Sequence, residues 1–529
     1  MRIQFRGLFS RIRTAWRVWK YASRQQGGIY EGTATTRLTL DWIASILSAD
    51  QEIRGSIRML RARGRELSRN NPVAKNYLNL LANNVIGPKG IDYQAQVRNA
   101  NGNLNSQLNQ KIKTAWTDWI KKGTCTADGK LSLRALCDLV IRNIATDGEA
   151  FIRLIPGFPG NAHKFALQLI DPDQVDPYMF QYPANVGPQK RGENEIRFGI
   201  EIDEWGRPVA YWVTKGHPSD LGGSLDAERI EAQYIIHLYD PHRVNQTRGI
   251  TWFSAVMFEL RMLGGYIEAE LVAARTGAAK MGFFKYNDAS AFQAEAPEKP
   301  FRMDAQPGVI ETLPPGMDFQ EWSPEHPSSA FPNFVITLLR QVATGLGVSY
   351  NALASDLTGV NYSSMRSGLL IERDLWRKLQ QWIVEAFLQP VFENWIKMAL
   401  LSGELVLDSR DPSKFLAGKW EPRGWQWVDP LKDVQAAILG INAGLTSRAA
   451  VVAEKGEDVE EIFEALKEEN ELAEEYDLEV SMVAKPPKVA KGTGEDVEEE
   501  ETAATEAGGE GTTEKKSARK LIALARGKS

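Results

Sequence analysis

Thirty residues, Thr251–Lys280, run without a proline, and a helix through all of them would extend about 45 Å at 1.5 Å per residue. A second stretch, Ser363–Leu401, is longer and meets only Pro390. Helices this long draw their stability from neighbours packed along their sides, within the chain or on another copy of it. The first carries Leu260, Leu263, Ile267 and Leu271 at spacings that share one face. Beside them, Gly264, Gly265, Ala273, Gly277, Ala278 and Ala279 permit close approach of a partner helix. We expect this face to pack between copies; packing within one subunit is the plain alternative.

The rest of the chain reads as strands and helices mixed. An arginine-rich helix is expected from Asp41 to about Arg69. Asn71 then caps, and Pro72 opens, a helix that stops at Gly87-Pro88. A strand near Ile91–Val97 and helices over 106–122 and 131–146 follow, the first burying Ile112, Trp116, Trp119 and Ile120. Ala150–Ile155 and Phe165–Ile170 read as strands. Glu195–Thr214 reads as a hairpin of IRFGIEID and VAYWVT turning at EWGRP, and Tyr234–Tyr239 as a further strand. Residues 286–327 break into Pro-rich turns around GVIETL and MDFQEW. Phe334–Gly345 is helical, Ala354–Asn361 is a polar loop, and 430–476 is helical again, with a narrow stripe of Val459, Ile462, Phe463 and Leu466. The fold class is α+β with dominant helices.

Apolar residues make up 43% of the chain, enough for a real core, yet no run reaches the ~18 apolar residues of a membrane span. Charge is concentrated at the ends. Residues 1–70 hold fourteen Lys/Arg against five Asp/Glu; residues 454–514 hold twenty-two acids against five lysines; residues 515–529 hold six bases and no acid. The middle, 71–453, is therefore left with a net charge of −5 − 9 + 17 − 6 = −3. A tight, sequence-specific DNA binder would carry a basic face on its folded part, so this balance argues against one. Residues 1–24 form a basic arm with Phe5, Phe9, Ile12, Trp16 and Trp19 on one helical face. It suits docking on a neighbouring subunit or disorder until assembly, with lying on a membrane as the alternative. From about Lys485 the composition is that of a disordered tail.

Catalytic chemistry is hard to find. Gly123–Leu131 misses the phosphate-loop pattern and reads as a turn. His237 and His242 are spaced for a hydrogen-bonded loop rather than a metal site. The run DPDQVDP, with Asp171, Asp173 and Asp176, reads as an Asx-type turn because no bidentate glutamate follows. Asp147-Gly148-Glu149 reads as a turn into a strand. Cys125 and Cys137 read as buried packing residues. We expect no enzyme, no cofactor and no metal.

Six segments, in order, resemble the lambda-type bacteriophage portal proteins. They are RNNPVAKNYLNLLANNVIG (69–87), the DEWGRPVAYW segment (203–212), HLYDPHRVNQTRGITW (237–252), PGVIETLPPGMDFQEWSPEHP (307–327), LRQVATGLGVSYNAL (339–353) and NYSSMRSGLLIERDLW (361–376). The resemblance implies a portal fold of wing, stem, clip and crown forming a ring oligomer, typically a dodecamer, at a unique capsid vertex of the virion. Double-stranded DNA would be packaged and ejected through it without sequence specificity. Implied partners are the terminase large subunit, head-completion or connector proteins, and the major capsid and scaffold proteins, with assembly in the bacterial host cytoplasm.

On this scheme 1–39 is the arm, 40–250 the wing, 251–285 the first stem helix and 286–327 the clip. The second stem helix is 328–350, the tunnel loop 351–362, the long wing helix and return 363–429, the crown 430–480 and the tail 481–529. Ser355, Asp356, Thr358, Gly359 and Asn361 are expected to face DNA. Arg275, Lys280 and Lys285 are candidates for sparse cationic rings in the stem, and Arg366 and Arg373 for pairing between subunits. The alternative readings are a nucleic-acid-associated scaffold without a channel, or a membrane-surface assembly protein anchored by the arm.

Overall fold

The computed structural model describes residues 37, 46–99, 101–181, 194–220, 226–278, 282–286, 317–321, 330–358, 362–407, 411–425, 430–455 and 458–475. The expectations for the basic arm, Lys280, Gly359, Asn361, GVIETL and the acidic tail lie outside these residues. Among the described residues, no helix is long and apolar enough to cross a membrane.

The expected arginine-rich helix is two helices, α1 (Ala49–Arg54) and α2 (Ile57–Asn70), separated at Gly55-Ser56. Asn71 ends α2 and caps α3 (Pro72–Leu81). Its carboxamide oxygen accepts from the Val73 and Ala74 N–H groups at 3.0 and 3.1 Å, while Pro72 fills the first turn, where no donor is needed. A π-turn, Ala82–Ile86, closes this helix before Gly87, which has φ +76°. Then come β1 (Asp92–Ala95), α4 (Ser106–Trp119) and α5 (Leu133–Asp147).

β2 (Glu149–Pro156) lies between β3 (Phe165–Ile170) and β8 (Ile235–Tyr239), antiparallel to both. Its alternation divides the interior. Ala150, Ile152 and Leu154 enter the large core with α4 and α5. Phe151 points the other way, into a smaller core with Ile200, Tyr211, Val213 and Ile230. That second core lines the sheet of β4 (Glu195–Arg197), β5 (Ile200–Ile202), β6 (Pro208–Thr214) and β7 (Ala227–Glu231). The expected single strand IRFGIEID is in fact β4 and β5 joined by a tight turn at Phe198-Gly199, both with positive φ (52° and 76°).

The expected first stem helix is shorter than 251–285. A 3-10 turn, Trp252–Ala255, leads into α6 (Met257–Ala278), and Gly282–Tyr286 is a strand, β9, paired antiparallel with β10 (Met317–Glu321). Lys285 therefore sits on a ribbon, not a helix. α7 (Phe331–Leu346) ends at Gly347 (φ +72°) and α8 (Tyr350–Ala354) follows. The long downstream helix is α9 (Tyr362–Ile383), a π-turn (Val384–Leu388) and α10 (Gln389–Ser402). Pro390 lacks an N–H and crowds the preceding turn, so the extra residue is accommodated just upstream of it.

α10 returns to the start of the fold. Trp395 and Phe392 meet Trp116 at 5.0 and 5.2 Å between ring centres, and Trp119 and Tyr93 complete the cluster. β11 (Gly418–Glu421) then pairs with β1 across more than 300 residues of sequence. The helices α11 (Pro430–Asn442), α12 (Arg448–Glu454) and α13 (Val459–Glu475) follow. Chain contacts divide the protein after Ile462; beyond it the described chain is the remainder of α13, with Lys467 and Glu471 paired at 3.6 Å.

Candidate functional site: the face of α6, the loop after α8 and a buried arginine cluster

α6 is split along its length. Leu260 and Leu263 are 0% and 3% exposed and join the interior of their own subunit, where Val342, Ala343 and Leu346 of α7 are also buried. For those two leucines the packing is intramolecular, correcting the expectation of packing between copies. The reason is the neighbouring α7, whose glycine at 345 lets Val256 press against its backbone. One turn on, Ile267 and Leu271 are 44% and 60% exposed, and Phe258, Met262 and Val272 are exposed with them. Among the described residues, and apart from the chain immediately around them, no atom lies within 4 Å of where a Cβ on Gly264 or Gly265 would stand. Tyr266 bridges the two helices through Phe331 and Phe334, with ring centres 5.6 and 5.3 Å apart. Arg275 is exposed near the end of α6, and Lys285 is exposed on β9.

The loop after α8 is built around one carboxylate. Ser355 ends the helix in the left-handed region (φ +53°) and is exposed. Asp356 accepts from the Thr358 N–H (2.9 Å), the Thr358 hydroxyl (2.6 Å) and the Tyr350 hydroxyl (2.7 Å). The Thr358 hydroxyl, the Tyr350 hydroxyl and the Thr358 N–H hold its pKa down at about 2, so the loop keeps its negative charge at any physiological pH. Leu357 is exposed at the tip. At the base, the Ser349 hydroxyl donates to Glu372, which is buried and whose pKa is raised by desolvation.

Arg366 and Arg373 do not project freely from α9. Arg366 pairs with Asp433 of α11 at 3.2 Å, an ion pair inside the chain that replaces the expected one between subunits. Arg373 lies 5.8 Å from the Trp425 ring centre; burial, with Arg377 beside it, lowers its pKa.

Sequence reasoning missed the most heavily built cluster, where the sheet of β2, β3 and β8 meets α2 and the loop entering α6. Glu149 is fully buried at the start of β2. Arg248 grips it with three contacts of 2.6–2.9 Å, Arg61 donates to it at 2.7 Å, and the His237 Nε2–H donates at 3.0 Å. Arg248 spends its remaining donors on the carbonyls of Pro172, Val175 and Phe198. Burial pushes the Glu149 pKa up. The Arg248 charge, the hydrogen bonds from His237 and Arg248, and Arg61 outweigh it and hold the carboxyl well below the usual carboxylate range. Arg65 extends the cluster to Asp147, Asp171 and Asp173 at 2.6–2.9 Å. The only sequence signal was the pair of short runs DGE and TRG.

Two other readings resolve here. DPDQVDP is an Asx-type turn: Asp171 accepts from the Asp173 N–H at 2.9 Å, and Gln174 closes a capping box. Asp171, Asp173 and His217 lie close enough to share a cation, but Arg61 and Arg65 already supply positive charge to both carboxylates. Cys125 and Cys137 are buried, and burial pushes the Cys125 thiol up to about 12.

Burial also lowers the pKa of His237, against the opposing pull of Glu149, so the folded chain holds it neutral. Below its unfolded value of about 6.5 the unfolded chain takes up a proton that the fold refuses. Stability is therefore expected to fall as pH drops from about 6.5 towards 5, before most carboxylates titrate. Asp147, whose pKa is raised by burial, works in the opposite direction. Melting curves of the wild type and His237→Gln isolate the histidine: the variant should lose this part of the slope, and parallel curves would refute the assignment.

The family "Phage portal protein, lambda family" matches residues 35–380. The "Probable portal protein" of Halomonas phage phiHAP-1 is 35% identical over 448 residues, covering 82% of this chain and 84% of the relative. "Portal protein B" of Escherichia phage lambda is 23% identical over 465 residues, covering 80% and 85%. Among solved structures, the neck of an empty gene transfer agent particle aligns over 76% of this chain and 93% of that one, at 15% identity and a TM-score of 0.40. On the extent of the family match and the 35% identical relative, this chain belongs to the lambda family of phage portal proteins.

Proposed function

We propose that copies of this chain close into a ring, a dodecamer, at one capsid vertex of a virion, and that double-stranded DNA is packaged and later ejected through its bore. The observation that carries this is the portal-family match over residues 35–380. The apolar face of α6 at Ile267, Leu271 and Val272 supports it, because an exposed apolar patch on one subunit is covered when subunits meet head to tail. The near-neutral middle of the chain supports a conduit that does not hold its cargo, since each firm phosphate contact adds affinity.

In this reading Ser355, Asp356, Thr358, Gly359 and Asn361 form a polar collar around the duplex, and Arg275, Lys280 and Lys285 are sparse cations along the path. The clip, residues 286–327, meets the terminase large subunit first and head-completion proteins afterwards. Capsid and scaffold proteins surround the ring, which assembles in the bacterial host cytoplasm. The chain itself catalyses nothing.

Native mass spectrometry and imaging test this. Wild-type protein should give closed rings with a central hole; a monomer under every condition overturns the proposal. Leu271→Asp places a carboxylate on the uncovered face. It should shift the population to monomers and small oligomers while leaving the melting temperature of the monomer unchanged, because Leu271 is 60% exposed. Cross-links from encapsidated DNA that map wholly outside residues 355–361 would remove the collar assignment.

A further inference from the structure

The loop that carries Ser355, Asp356 and Thr358 leaves a helix of five residues, α8, which is too short to persist on its own hydrogen bonds. Side chains from two other helices hold it, one at each end. At the last turn, the Asn76 carboxamide of α3 donates to the carbonyls of Ala352 and Leu353 at 3.0 and 2.8 Å. A helix end leaves such carbonyls open, and a neutral amide fills them without bringing a charge out of water. Leu353, 2% exposed, anchors the same turn in the large core.

The first turn is held by an acid. Ser349 caps α8; its hydroxyl accepts from the Ala352 N–H at 3.3 Å and donates to Glu372 of α9 at 3.1 Å. Glu372 is 8% exposed. Among the described residues, its Oε1 is buried and meets no donor, and the Ser349 hydroxyl and N–H are the groups that favour its charge. They do not make up for burial, which raises the pKa above its ordinary value.

A carboxylate is a costly acceptor in this place. A glutamine would offer Ser349 an oxygen with no charge to desolvate, and an unpaired buried amide costs far less than an unpaired buried charge. Opening the first turn returns the Glu372 charge to water, whereas opening the last turn strands two carbonyls that Asn76 now satisfies. The two ends of α8 are therefore unequal. Movement at the first turn also reaches the loop directly, because Tyr350, the first residue of α8, donates to Asp356 at 2.7 Å.

We propose that Glu372 is a spring beneath α8: its buried charge keeps the tie to Ser349 close to opening, so the first turn releases while Asn76 holds the last, and Asp356 moves with it. Glu372 is a positioning residue, acting on the loop through Ser349 and Tyr350. What the loop meets belongs to the conduit reading. The spring needs only one subunit, so the imaging of rings and the test of the spring fail separately.

Hydrogen exchange read by mass spectrometry on the full-length chain at pH 8 tests this, with peptides of α10 as the reference. In Glu372→Gln, exchange over residues 350–356 should slow at least threefold while α10 exchanges as in wild type. In Ser349→Ala, which breaks the tie and leaves the acid, exchange over the same residues should speed up at least threefold. Loss of a cap alone gives the second result; only a spring gives the first. Exchange in Glu372→Gln equal to or faster than wild type would overturn the proposal. A slowing of the same size throughout α10 would overturn it too, since that marks a global gain in stability. So would a Glu372→Gln chain that fails to fold, because the carboxylate would then be a support and not a cost.

Discussion

Replacing Glu149 by glutamine should lower the stability of the chain by about 3–5 kcal/mol in urea unfolding, the cost of leaving buried charge without its partner. The substitution is nearly isosteric, so packing is preserved and the effect is electrostatic. Glu149 and Arg248 are both fully buried, and Arg61 is 1% exposed. In the variant, two guanidinium groups would remain inside with Asp173 alone for Arg61 and only carbonyls for Arg248. Asp171→Asn is the internal control. Its carboxylate is 39% exposed and one of three held by Arg65, so a loss below about 1 kcal/mol is expected there. If Glu149→Gln cost no more than the control, the cluster would be a decoration and not the joint between sheet, helix and stem entry.

Gly249→Ala should be nearly as damaging, at least about 3 kcal/mol, through backbone separation and not through charge. A Cβ at position 249 would collide with the Gly148 carbonyl, and one at 148 would collide with the Ile250 backbone. Gly148 also ends α5 with φ +94°. The two glycines let the entry of β2 lie directly against the 248–250 loop, and the Gly249 N–H donates to Glu149 at 3.1 Å across that contact. A methyl group would open the gap and weaken every bond that Arg248 makes. Urea unfolding with an unchanged m-value, set beside the same measurement on Gly206→Ala at an open turn (φ +78°), checks it. Gly249 is not itself at positive φ, so a loss at Gly249→Ala no larger than at Gly206→Ala would refute the collision.

Much of the fold was legible because its signals are local. Asn71-Pro72 caps and opens a helix by chemistry contained in two residues, and Ile112, Trp116 and Trp119 mark their buried face by spacing alone. The failures have equally specific causes. In IRFGIEID the alternation of Ile196, Ile200 and Ile202 is the same whether the segment is one strand or two, so the turn is invisible to it. Phe198 moreover takes a positive φ usually left to Asn, Asp or Gly. Residues 282–285 fall in the stem helix that the resemblance implies and Tyr286 in the clip, whereas the aromatic content of GFFKY favours the strand that forms.

Of the local geometry after α8, the turn was legible. Asp356 and Thr358 form a local turn, which short-range rules recognise. The partner of Arg366 is Asp433, 67 positions on, and no short-range pattern reports it. Arg248 and Arg61 look like surface residues in a sequence, since an arginine is rarely buried, and only the convergence of β2, α2 and the 171–175 turn on one point shows otherwise.

The ribbon of β9 and β10 carries a consequence for how the particle is put together. It is held by five residue pairs, and among the described residues no third strand lies beside it. Two short strands alone are marginal in water, and their outer edges offer open donors and acceptors. Amide hydrogens there should therefore exchange quickly in a lone subunit, and protection that rises on assembly would show that a neighbouring chain has covered an edge.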